Sequence, residues 1–164
     1  MGVSLLLLIC VGMLFLSEKK EVRVRGGLKV TLIVKRNERV FEYDQKVVLR
    51  PGDRIRIQVE DHQGGFLWVL GWNDRREVTF YYGQNPKGTL FSILPGSTLL
   101  PESLELDASQ YQEAIVVVLS KQKYTPTQLV EWLQPIPWEE SLPPSIEALP
   151  QTRIAVIPIR KEGL

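Results

Sequence analysis

Chemistry in this chain would have to run through very few residues. The sole histidine, His62, follows Asp61, and imidazole titrates near neutrality, so the two are the first choice for an acid–base pair. Neighbours in an extended segment point to opposite faces, however, and no nucleophile is spaced to complete a hydrolytic set; His62 reads as a solvated loop residue. One cysteine, Cys10, excludes an intrachain disulfide and a Cys-rich zinc site. With one histidine a multi-histidine site is excluded too, so no metal and no cofactor are expected. Asp107 and the pair Glu139-Glu140 read as turn and loop solvation. A glycosidase needs two carboxylates at a set separation in a cleft, which a linear pattern does not disclose. The chain has no Gly-rich phosphate loop, nucleophile elbow or HExxH.

Binding residues are better supplied. Trp68 and Trp72 share one strand face with Phe66 and Leu70 and read as core. Tyr81 falls on the polar face of the next strand, beside Tyr82, and is the better candidate for an exposed ring. Trp138 lies in a Pro-rich stretch, where it either covers a sheet or marks an interaction surface. Arg50, Arg54 and Arg56 line one strand face with Arg75 or Arg76 across the sheet. Glu60 and Glu77 as neighbours make that a solvated face, with a site for an anion or acidic partner as the alternative. Tyr81, Tyr82, Trp138, Arg54 and Arg56 are therefore the candidate binding surface. Twenty Lys and Arg against 19 Asp and Glu leave a net charge of +1, too small a field for a nucleic-acid partner.

The elements that must position these residues follow from the patterning. In residues 28–164, period-two alternation dominates. Leu28, Val30, Leu32 and Val34 fall on one face of a strand, and Arg39-Val40-Phe41 returns as a short one. Arg50-Pro51-Gly52-Asp53 is a structural turn: Pro51 fixes a negative φ, Gly52 takes a positive one and Asp53 closes it, as in type II. Residues 54–60 alternate with Ile55, Ile57 and Val59 inward. Residues 66–72 and 114–119 are apolar on both faces, which predicts central strands covered on each side. Residues 77–82 alternate again and 104–106 form a short strand. Residues 83–100 read as a long loop with one short strand near 90–94. Thr125 is the N-cap of a helix with Pro126 at its first position and Leu129, Val130, Trp132 and Leu133 on its apolar face. Residues 135–150 carry five prolines and form a loop. A closing strand at 153–160 contains Pro158, which places it at a sheet edge. About eight strands and one short C-terminal helix predict a mainly β fold, an immunoglobulin-like or related β-sandwich.

Residues 1–17 carry no Asp, Glu, Lys, Arg or His. The apolar stretch from Val3 to Leu16 is 14 residues, against about 20 for a spanning helix. No basic residue opens it and no small-residue cleavage site closes it, so it is expected to be an uncleaved anchor in the lipid bilayer rather than a signal peptide. Cys10 follows Ile9, too large for an acylation site, and reads as an apolar helix residue. Residues 18–27 form a charged, Gly-ended linker. Its Lys19, Lys20, Arg23 and Arg25 would hold that side in the cytoplasm by the positive-inside rule.

Four stretches carry a family resemblance: RVRGGLKVTLIVKRNERV, VVLRPGDRIRIQV, FLWVLGWNDRREVTFYY and LPESLELDASQYQEAIVVVLSKQKYTPTQLVEWL. Together they resemble an uncharacterised bacterial β domain that lies on the far side of a membrane helix in envelope proteins, including anti-sigma-factor-like proteins. They are also similar to a domain of unknown function found in lipoproteins and in proteins associated with kinases or caspase-like proteases. The likeness spans about Arg23 to Leu133 plus the closing strand. Its most specific elements are Arg50-Pro51-Gly52-Asp53, Tyr81-Tyr82 and Leu106-Asp107, none a catalytic signature; Asn85-Pro86 departs from the pattern. The resemblance implies a single-pass bacterial inner-membrane protein with its C-terminal domain in the periplasm, against the charge rule. It does not bring anti-sigma activity, because the sigma-binding and zinc-bearing residues are not among these 164. The expectation is a non-catalytic sensory or interaction domain with a protein partner in the envelope. The alternatives are a carbohydrate- or peptidoglycan-binding module, which needs two or more of Trp68, Trp72, Tyr81, Tyr82 and Trp138 exposed on one surface, and a small hydrolase, which needs carboxylates or His62 converging in a pocket.

Overall fold

A computed structural model describes residues 27–83, 90–138 and 149–163. The expected anchor, all of the linker but Gly27, Asn85-Pro86 and Glu139-Glu140 lie outside the described residues. Among those described, no helix is long and apolar enough to cross a membrane.

Among the described residues the fold is mainly β, with two antiparallel sheets and one short helix. The strands are β1 (Lys29–Arg36), β2 (Arg39–Glu42), β3 (Arg54–Asp61), β4 (Gly65–Asn73), β5 (Val78–Tyr82), β6 (Ser92–Ile93), β7 (Gly96–Leu99), β8 (Leu104–Glu105), β9 (Glu113–Ser120) and β10 (Thr152–Ile159); the helix α1 is Pro126–Leu133. The first sheet runs β2-β1-β3-β7 with β8 also on β3, and the second runs β10-β9-β4-β5 with β6 also on β4.

The alternation of β1 and β3 has its cause in what each face meets. Leu32, Val34, Ile55, Ile57 and Val59 turn inward and share one buried cluster with Leu67, Val69, Ile115, Val117 and Ile157 of the second sheet. The outer face of the first sheet keeps Lys35, Arg54 and Arg56 in solvent. The central strands of the second sheet, β4 and β9, are buried on both sides. The sheet's far face carries Trp68, Leu70, Trp72, Val116 and Val118 under Leu129 and Leu133 of α1, which is why residues 66–72 and 114–119 are apolar at every position.

The local signals hold. Thr125 caps α1 in a full capping box with Gln128, and Pro126 opens the helix. Gly52 has φ +85°, a value an L side chain rarely takes, and the Asp53 amide donates to the Arg50 carbonyl at 3.0 Å. The turn also buries Asp53, whose carboxylate accepts the Arg50 amide and a two-pronged contact from Arg36 at 2.7 and 2.9 Å. That Arg36 hydrogen bond outweighs burial and holds the Asp53 carboxyl below the usual carboxylate range. Pro158 does sit on an edge strand.

Two expectations need correcting. Strand count is ten among the described residues rather than about eight. Residues 83–100 hold β7 as well as the short β6; Gly96–Leu99 pairs with Gln58–Asp61. The sequence GSTL has no apolar alternation, because three of its four residues are exposed. The backbone ladder, which needs no particular side chain, makes it a strand.

Candidate functional site

On one side the two sheets part. A cleft of about 200 Å³ opens there between β5 of the second sheet and β8 of the first. Ile55, Ile115 and Ile159 floor it, and Glu77, Glu105, Asp107 and Glu113 are the charged residues of its wall. No Lys, Arg or His lines it.

Tyr81 shares the cleft face of β5 with Thr79, and an irregularity brings Tyr82 to the same side. Val69 pairs with Tyr82 but Leu70 pairs with Phe80, so Tyr81 is an extra residue opposite the Val69–Leu70 step. A bulge of this kind shifts the side-chain parity of everything beyond it. Phe80 stays on the helix side, edge-on to Trp68, while Tyr81 and Tyr82 both pack against the cluster between the sheets. The Tyr81 ring lies on Gly71: a methyl built there would stand 2.7 Å from the phenolic oxygen. The Tyr81 hydroxyl has no hydrogen-bond partner among the described residues. Burial, with the charges of Glu113 and Asp107, pushes its pKa up to about 12, so it is a neutral phenol at ordinary pH.

The end wall is the segment that carries the chain from β8 across to β9. It is pinned by the buried Lys161 ammonium, which contacts Asp107 at 3.1 Å, Ser109 at 2.6 Å and the Glu113 carboxylate. The Ser109 hydroxyl, helped by its own amide and by Lys161, holds the Asp107 carboxyl below its ordinary value against burial. Asp74 closes the corner through the Gln112 carbonyl, and the Arg75 guanidinium stacks 3.8 Å above the Tyr111 ring at the rim. Lys161 therefore serves two carboxylates from below. Glu77 accepts from the Asn73 amide at 2.8 Å, and Glu105 faces Arg54 at 3.4 Å with both side chains mostly in water. The cleft keeps a net negative charge.

A general acid needs a carboxyl that stays protonated, and Asp107 is held ionised. The wall offers acceptors and one phenol with no partner among the described residues, a surface complementary to hydrogen-bond donors and positive charge. No grouping of three His, Cys, Asp or Glu among the described residues could hold a metal ion.

The residues singled out from sequence fall in separate places. Tyr81 lies on the polar face of its strand with Glu77 and Thr79, but that face lines the cleft and the ring is half-buried. Tyr82 is buried, and its hydroxyl both donates to the Glu102 carbonyl at 2.9 Å and accepts the Glu102 amide at 2.7 Å. Arg54 and Arg56 stand on the outer face of the first sheet, where Arg56 donates to the Leu100 carbonyl at 3.2 Å. Trp138 covers the far face of the second sheet, edge-on to Trp72 at 4.9 Å, with its indole N–H on Gln112. Trp68 and Trp72 are core. These rings do not share an exposed surface, so the aromatic platform that a carbohydrate module requires is not formed by them. The arginines do not converge either: Arg50 pairs with Glu162 at 3.4 Å, and Arg75 is on Tyr111. His62 is exposed and makes no pair with Asp61, whose oxygens are taken by the Gln63 and Gly64 amides and by Arg153.

Sequence reasoning missed Glu77, Glu105 and Glu113 as site residues and took Asp107 for turn solvation. The one usable signal was parity: Glu77 and Thr79 share a strand face, and Glu105 interrupts Leu104 and Leu106. Comparisons with family models, with curated proteins and with solved structures give no match for this chain.

Proposed function

We propose that this chain is a non-catalytic interaction protein of the bacterial envelope. Its two facing sheets form an immunoglobulin-like sandwich, and the cleft between β5 and β8 receives a cationic segment of a partner protein. The observation that carries this reading is the wall of four carboxylates with no cation among the lining residues, beside a phenol that no described residue uses. The apolar run from Val3 to Leu16 supports an inner-membrane anchor, and the likeness to bacterial envelope domains supports a periplasmic side for the body.

The test is a panel titration of the full chain by fluorescence anisotropy, with a labelled Lys-rich peptide, its Glu-rich counterpart and soluble peptidoglycan fragments. Only the Lys-rich peptide is expected to bind, more weakly as salt rises. Changing Glu77→Gln and Glu105→Gln together is expected to weaken it about tenfold, since each half-exposed ion pair contributes up to about 1 kcal/mol. Binding of peptidoglycan fragments without the Lys-rich peptide would replace this reading with a cell-wall-binding one.

A further inference from the structure

We propose that the partner enters the cleft by adding a strand to β5. An extended segment with Lys or Arg at alternate positions pairs antiparallel with the free edge of Val78–Tyr82 and turns its cationic side chains onto the acidic wall. This rests on the cleft being the binding site.

Three observations lead to it. First, among the described residues β5 ends the second sheet. The Asn73 amide donates to the Glu77 carbonyl at 3.2 Å, and Thr79 pairs with Gly71. In an antiparallel ladder inward and outward backbone groups alternate, so Thr79 turns its amide and carbonyl toward β4, and Val78 and Phe80 turn theirs to the free edge. Second, this edge lacks most of the usual protection. Edge strands are commonly blunted by charge or proline; Val78-Thr79-Phe80-Tyr81-Tyr82 has neither, whereas the opposite edge of the sheet, β10, carries Pro158. On the first sheet the strand beside the cleft is β8, two residues long. Third, the faces match. Thr79 and Tyr81 line the cleft, so residues of an added strand lying beside them point the same way, toward Glu77, Glu105 and Asp107. Charge complementarity then selects Lys or Arg at those positions, and the Tyr81 oxygen accepts from the ammonium or guanidinium that arrives. This is the strand-addition mode, in which main-chain hydrogen bonds give affinity and alternate side chains give specificity.

The pairing pattern makes a sharp test. In an acetylated, labelled octapeptide of alternating Lys and Thr, the Lys residues lie beside Thr79 and Tyr81, and the Thr residues exchange hydrogen bonds with Val78 and Phe80. Methylating the Thr amides is expected to weaken binding to the full chain about tenfold or more, and methylating the Lys amides to leave it nearly unchanged. The Glu–Thr octapeptide is expected not to bind. Equal affinity for the two methylated series would overturn strand addition while leaving the cationic cleft standing. No binding of the unmethylated Lys–Thr peptide would overturn both. Sedimentation that shows a dimer of the chain, undisturbed by the Lys–Thr peptide, would overturn the proposal in favour of a second copy on this edge.

Discussion

Tyr81 owes its place to Gly71, which has no side chain to fill the spot its ring occupies. Gly71→Ala would put a methyl 2.7 Å from the phenolic oxygen. The ring is the mobile partner, so it is expected to swing out into solvent at modest cost to stability, about 1–2 kcal/mol. The phenol should then titrate near the ordinary 10 rather than about 12, read from phenolate absorbance. Asp61 is a second residue with a definite signature. Burial pushes its carboxyl up, but the Gln63 amide, the Arg153 guanidinium and the Gly64 amide outweigh burial and hold it down. A depressed folded pKa adds stability that is complete above the unfolded value near 3.8 and is lost as pH falls through the folded value. Asp61→Asn is therefore expected to cost about 3 kcal/mol at neutral pH, because it leaves the nearly buried Arg153 without its counter-charge. In urea unfolding the gap from the unaltered chain should narrow below about pH 4.

Elements whose cause is local were legible in the sequence. The turn at Arg50-Pro51-Gly52-Asp53 and the capped start of α1 are set by residues that touch each other along the chain. Thr125→Ala is expected to lower the stability of the domain by about 1 kcal/mol in thermal unfolding, since it removes one half of the capping box. The double-sided apolarity of β4 and β9 disclosed that something covers each face, and the structure supplies a sheet on one side and α1 on the other. Where the cause is distant, legibility fails. β7 forms because the far end of β3 has an unpaired edge, and nothing in GSTL announces that. The bulge in β5 reverses the facing of Tyr82 relative to simple alternation, while Tyr81 keeps the face of Glu77 and Thr79, which lines the cleft.

At the scale of the molecule, the cleft is a product of topology. Its wall gathers Glu77 from the β4–β5 hairpin, Glu105 from β8, Asp107 from the chain that crosses between sheets and Glu113 from the start of β9. No window of sequence holds that set, and a chain with nearly balanced charge gives no reason to look for a local excess of one sign. The overall +1 and the negative cleft are compatible because much of the positive charge faces outward, as Arg54 and Arg56 do, or is locked beneath the wall, as Lys161 is. The most direct test is to map the Lys–Thr octapeptide on the full chain by amide and aromatic chemical-shift changes. The shifts are expected to concentrate at Thr79, Tyr81, Glu105 and Asp107. Shifts centred on the outer face of the first sheet, or on Trp138 and α1, would contradict the cleft as the binding site.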